Sequence, residues 1–224
     1  MPEVETRTCR CALCGHRYEY ACLADCTEIT LPDTDLRPAM MKRVTMDLWT
    51  HTCPVCGFIE RDDNMPQEPL PKEKICRIMR SSAYTKNRGL PALAETFIRE
   101  GMLREASEDP YAYQSILHAA WVCDDDPALQ EAGNELRKKA LDMIADTADM
   151  AFLSAPAVIL QRADMLRRIG EFERTAVFCR NVQVDNTELR KVLELQMSLA
   201  EGKISSGGYT LHDAGIFSLE FFDS

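Results

Sequence analysis

The chain predicts a mainly α protein with a small β-rich segment at its N-terminus, and three observations carry that prediction. Two C-x2-C-G motifs lie before Phe58. The stretch from Asp62 to Lys74, "DDNMPQEPLPKEK", holds three prolines, which lack N–H donors and resist both helix and ladder. Beyond it the apolar residues recur at helical spacing. The proline stretch reads as a linker, so the predicted division is a domain over 1–70 and a second over 71–224. Within the first, the runs "HRYEYACL" and "RVTMDLWTHT" are rich in Thr, Val and Tyr and read as short strands.

The helical part is punctuated by start signals. Asp109-Pro110 and Asp126-Pro127 each place a capping side chain before a proline at a first helical position, where the missing N–H costs nothing. Ser154 before Pro156 and Thr187 before Glu188 repeat the signal in weaker form. Leu129, Ala132, Leu136, Ala140, Met143, Ile144 and Thr147 fall in steps of three and four, as do Leu189, Val192, Leu193, Gln196 and Leu199. The pattern predicts helices near 72–84, 90–105, 110–123, 127–150, 156–169, 171–184 and 187–201. Short connections favour an array of antiparallel helical hairpins. In "ADMLRRIGEFERTAVFCRNV", Leu166, Gly170 and Phe172 flank a tight turn, with Ala176 and Phe178 following on the next helix. This spacing is tetratricopeptide-like, although no clean repeat period runs through the chain. The C-terminal "SSGGYTLHDAGIFSLEFFDS" predicts a flexible Ser/Gly loop, then Phe217, Leu219, Phe221 and Phe222 docking on the helices.

Composition narrows the class. With 46% hydrophobic and 28% charged residues in 224, the chain is that of a soluble globular protein. The opening "MPEVETRTCRC" has no apolar core of a leader peptide. The most apolar stretch, Ala151 to Leu160, falls short of the roughly 20 residues of a membrane span. A cytoplasmic setting is therefore expected, where paired cysteines more often hold metal than form disulfides. The net charge of −10 disfavours nucleic acid as the main partner, and acids outnumber bases on both sides of residue 70.

Ten cysteines are present, and they sort by spacing. Cys11-x2-Cys14-Gly15 and Cys53-x2-Cys56-Gly57 are matched knuckles: each turn directs two thiolates at one ion, and the glycine can adopt the positive φ that turns backbone N–H groups toward the sulfurs. Together they supply the four ligands of a zinc-ribbon-like structural site, with iron as the chemical alternative for a four-sulfur cage. Four cysteines close the shell without His16 or His51. Cys76, Cys123 and Cys179 read as small buried hydrophobes on helices. Cys9, Cys22 and Cys26 are surplus, and free, redox-active thiols are the reading they invite.

The segments "CALCG", "DTDLRPAMMKRVTMDLWTHTCPVCGF", "SILHAAWVCDDD" and "ADMLRRIGEFERTA" together resemble a bacterial domain-of-unknown-function family. Its members join an N-terminal CxxC…CPxCG zinc-ribbon-like segment to tetratricopeptide-like helices. The resemblance spans roughly residues 9–215. It implies that Cys11, Cys14, Cys53 and Cys56 are the family's paired cysteines and that Asp35 and Arg37 stand at its Asp-x-Arg-Pro position. Cys22 and Cys26 depart from the small polar residues expected there.

No G-x-S-x-G elbow, phosphate loop or H-E-x-x-H motif occurs, so no enzyme activity is expected. The leading expectation is an interaction protein: stacked hairpins make a grooved surface for a protein or peptide partner, with Arg162, Arg167 and Arg168 as exposed contacts for an acidic one. The alternatives are nucleic-acid binding by the ribbon, through a strip of Arg37, Lys42 and Arg43, and a thiol or metal sensor built on Cys9, Cys22 and Cys26. Trp121, Tyr111 and Tyr113 are expected in the core or in a groove wall.

Overall fold

The computed structural model describes residues 2–28, 30–61 and 70–218. The fold is mainly α, with two small antiparallel sheets near the N-terminus. Strands β1 (Glu3–Arg10) and β2 (Arg17–Asp25) pair with Cys9 opposite Tyr18 and Glu5 opposite Cys22. Strands β3 (Thr50–Thr52) and β4 (Ile59–Arg61) form a second, shorter hairpin. Only the end of "RVTMDLWTHT" is strand. Its first part belongs to the short helix α1 (Met40–Arg43) and a 3-10 turn at Met46–Leu48. The strand over Glu3–Arg10 carries no apolar alternation and was not expected: its side chains are largely exposed, and its pairing with β2 is what defines it.

The remaining helices are α2 (Lys72–Met79), α3 (Ser82–Thr85), α4 (Ala92–Ala106), α5 (Ala112–Cys123), α6 (Gln130–Ala145), α7 (Met150–Leu153), α8 (Pro156–Arg168), α9 (Phe172–Asn181) and α10 (Thr187–Glu201). Their starts follow side-chain chemistry. Asp126 accepts the Ala128 N–H at 2.9 Å and opens a 3-10 turn that runs into α6. Asp109 instead accepts the Tyr111 N–H at 2.8 Å, so α5 starts at Ala112, later than its Asp-Pro signal suggested. The long helix predicted over 127–150 stops at Ala145, because Asp149 takes the N–H groups of Ala151 and Phe152 and begins α7. Asn186, one residue ahead of Thr187, caps α10 through the Leu189 N–H at 3.0 Å.

The chain does not divide at residue 70. One compact unit comprises Met1–Thr27 with Met41–Leu136, the other Glu28–Met40 with Arg137–Ser224. The physical reason is core size: two thin hairpins cannot bury enough apolar surface alone. Cys11, Tyr18, Cys53, Phe58 and Ile59 therefore share one core with Ile75, Tyr84 and Leu103 of the following helices. Most of the proline stretch lies outside the described residues, and its last three residues already belong to α2. In α4, Gly101 lets α5 approach closely: a Cβ there would sit 2.7 Å from Ile116 Cδ1.

In the second unit, α8, α9 and α10 pack as successive antiparallel neighbours. Gly170, at φ 84°, makes the α8–α9 turn. Leu189, Val192, Leu193, Gln196 and Leu199 are all buried, as their spacing predicted. Residues 28–40 belong to this unit: Asp33 bridges Thr210, and the Thr34 N–H donates to the Tyr209 carbonyl at 2.8 Å. The Ser/Gly loop is pinned, since Arg167 donates to the carbonyls of Ile204 at 2.9 Å and Ser206 at 2.7 Å. Phe217 does not dock; it is 77% exposed. Leu219, Phe221 and Phe222 lie outside the described residues. Among the described residues no helix is long and apolar enough to cross a membrane.

Candidate metal centre and helical groove

The two knuckles are built alike. Each sits at the tip of a hairpin, and in each the first cysteine donates its N–H across the loop, Cys11 to the His16 carbonyl at 2.9 Å and Cys53 to the Phe58 carbonyl at 2.8 Å. Gly15 (φ 75°) and Gly57 (φ 73°) return their N–H groups to the carbonyls of Cys11 and Cys53. Those positive φ angles are what the C-x2-C-G pattern needs and what a side chain would oppose.

The hairpins bring all four sulfurs together. Cys11 and Cys56 Sγ are 3.6 Å apart, Cys14 and Cys53 Sγ 3.7 Å, and the four lie within 4.8 Å of one another. A disulfide would need about 2.05 Å. A tetrahedron of sulfurs around an ion at about 2.3 Å has edges of about 3.8 Å, so the cluster is compatible with a metal ion in a four-thiolate cage. None of the ten cysteines is in a disulfide.

The thiols differ in how readily they ionise. Burial pushes Cys11 up, against the backbone N–H groups of Cys14 and Leu13. Burial acts on Cys53 in the same direction, but the N–H groups of Cys56 and Val55 and the neighbouring thiols outweigh it and bring Cys53 down to about 7. One thiolate is thus accessible near neutral pH, and a cation held by the four sulfurs would displace the protons of the others.

Behind the cysteines stands a polar support that the sequence did not announce. Glu60 accepts the Ala12 N–H at 3.2 Å through one oxygen and the Tyr18 hydroxyl at 3.2 Å through the other. The Tyr18 hydroxyl also meets His51 Nδ1 at 2.7 Å, and His51 stacks on Tyr20 with ring centroids 3.8 Å apart. His51 is therefore occupied by tyrosines, outside the cluster.

The surplus cysteines separate. Cys22 is fully buried, with its thiol 3.7 Å from the Glu5 carbonyl; Cys9 and Cys26 are half-buried. Cys123 and Cys179 are core thiols, whereas Cys76 is half-buried. Trp121 and Tyr113 are buried, and Tyr111 is exposed. Arg37 is buried, so it cannot contribute to a surface strip with Lys42 and Arg43.

The three arginines of α8 have different fates. Arg167 is fully buried: it donates to Gln196 Oε1 at 2.6 Å and pairs with Asp164 at 2.8 Å. It is a structural residue and cannot be an exposed contact. Arg168 is half-buried, packed so closely on Gly207 that a Cβ there would meet its Nη1 at 2.6 Å. Arg162 alone faces an open groove of about 830 Å³ between α7, α8 and α9, walled by Leu153, Leu166 and Val177 among others. Its guanidinium lies over the Phe178 ring at 4.8 Å.

Comparison with protein-family models, with curated proteins and with solved structures returns no match.

Proposed function

We propose that this is a zinc-stabilised, non-catalytic interaction protein that binds a protein or peptide partner in the groove of its second unit. The observation that carries the reading is that groove: an open apolar concavity, with Val177 half-exposed on its wall and Met150 largely exposed on its rim. Soluble proteins rarely leave such surfaces contiguous without a use. The non-catalytic part rests on the cage, since four thiolates fill a tetrahedral shell and leave an ion no position for substrate. Zinc suits a site with a structural role, and iron is the alternative that a four-sulfur cage also accepts. The cage and the helical remainder also support membership of the domain-of-unknown-function family that the sequence resembles. Ten cysteines outside any disulfide suit the cytoplasm.

The test compares wild type with Val177→Asp, a substitution at a surface position. Crosslinking in native extract, read by mass spectrometry, should return a protein partner that the variant loses, while elemental analysis finds one zinc per chain in both. Partners retained undiminished by the variant would sink the groove reading. One equivalent of iron in place of zinc would correct the metal.

A further inference from the structure

We infer that the groove takes a peptide segment carrying a carboxylate side chain flanked by apolar residues, with Arg162 as the anchor for the acid; this rests on the groove being the interaction surface. The argument begins with what Arg162 lacks. Its guanidinium is half-buried, yet it makes no ion pair with a carboxylate among the described residues. Its one contact of note is the Phe178 ring beneath it. Burial and the nearby charge of Arg174 both disfavour its cationic form, so a bound anion would relieve a cost that the free protein carries. A guanidinium placed over an aromatic face keeps N–H donors for a carboxylate, because the ring satisfies its charge without accepting its hydrogen bonds.

The surroundings select the rest of the ligand. Met150, Leu153, Leu166 and Val177 offer apolar surface around that cation. A bare anion would leave this surface wet, and a purely apolar segment would cover Arg162 without pairing it. A segment that alternates apolar and acidic side chains satisfies both. Glu173 on the same wall forms no ion pair among the described residues and repels acid on its side, which orients the segment with its carboxylate toward Arg162.

The experiment uses two synthetic probes, the end-blocked peptides SLFELS and SLFQLS, titrated into the full chain and followed by the methyl NMR signals of Met150, Leu153 and Val177. The expected result is binding of the acidic peptide about tenfold or more tighter than the amide one. Arg162→Gln should erase the difference and Arg162→Lys retain part of it. Glu173→Gln should tighten the acidic peptide selectively, which keeps the test decisive if the Arg162 variants fold poorly. Equal binding of both peptides to wild type would overturn the carboxylate inference while leaving the groove reading in place. Binding of neither at millimolar concentration would overturn both.

Discussion

Glu60, on the second hairpin, accepts the backbone N–H of Ala12, inside the knuckle of the first, at 3.2 Å. The bond ties the two halves of the cysteine cluster together independently of any ion. Glu60 is buried and its other oxygen holds the Tyr18 hydroxyl, so truncation leaves the Ala12 N–H without its acceptor and takes from the Tyr18 hydroxyl one of its two partners. Glu60→Ala is expected to cost about 2–3 kcal/mol and to speed metal loss to a chelator. Glu60→Gln, which keeps one acceptor oxygen, should fall between. Thermal melts and a colorimetric chelator assay read both effects. A wild-type release rate in Glu60→Ala would show that the bond does not preorganise the cage.

Metal removal should unfold the first unit selectively. Its hairpins share a core with the cysteines, and a cage that is assembled on folding contributes its binding energy to the fold. Cys53→Ser or exhaustive chelation is expected to broaden the amide NMR signals of residues 3–25 and 50–61. Signals of α8 to α10 should stay dispersed. Cys9→Ser and Cys22→Ser should keep full metal stoichiometry, because neither sulfur belongs to the cluster. After mild peroxide, Cys22 should stay unmodified in the folded protein, since it is fully buried. Loss of metal in Cys22→Ser with the fold retained would assign it a role in the cage.

What was legible in the sequence was what is local. Each knuckle is specified by two cysteines and a glycine, so its chemistry appears in its spacing, and α10 appears in the period of its buried face. The tertiary parts were not legible. Arg162, Arg167 and Arg168 read alike on a helical wheel edge, and only Asp164 and Gln196 decide that Arg167 is interior. Glu60 looks like any strand acid until the first knuckle is set against it. The boundary near residue 70 failed for the same reason: prolines mark where regular structure is interrupted, whereas a domain is defined by which apolar faces share a core. The end of α6 was misplaced because Asp149, two residues beyond Thr147, competes for the backbone through its side chain.

Removing Arg167 should be among the costliest single changes in the second unit. Its guanidinium satisfies Gln196, Asp164 and two loop carbonyls while fully buried, and its loss takes from the buried Asp164 its ion-pair partner at 2.8 Å, leaving Gln196 and Thr34 to donate to that carboxylate. Arg167→Ala is expected to destabilise by about 3–5 kcal/mol. Arg162→Ala, facing the groove, should stay within about 1 kcal/mol. Urea denaturation followed by near-ultraviolet circular dichroism separates the two. Equal costs would mean that the buried network is not what secures the loop after α10.

The second unit should also carry a pH signature from Asp35. Burial raises its carboxyl to about 6, with the charge of Asp164 adding to the effect and Arg168 and Arg137 opposing it. In the unfolded chain the group titrates near its ordinary value of 3.8. Between these two values the folded state holds the proton that the unfolded state has released, so stability falls as pH rises through this window. The total is about 3 kcal/mol at 1.36 kcal/mol per unit. Asp164 works in the opposite sense and elsewhere. Burial raises it but Arg167, Arg168, Gln196 and Arg137 outweigh that and hold it below the ordinary value, so its contribution is present above that value and lost only in stronger acid. Asp35→Asn removes the first titration, and its amide oxygen can still accept the Arg37 N–H, held at 3.1 Å in the wild type. Urea midpoints of wild type and Asp35→Asn, compared at pH values on either side of the window, cancel the acid sensitivity that both share through the cysteine cluster. The variant should gain on wild type as pH rises. A constant difference would show that Asp35 ionises alike in the folded and unfolded chain.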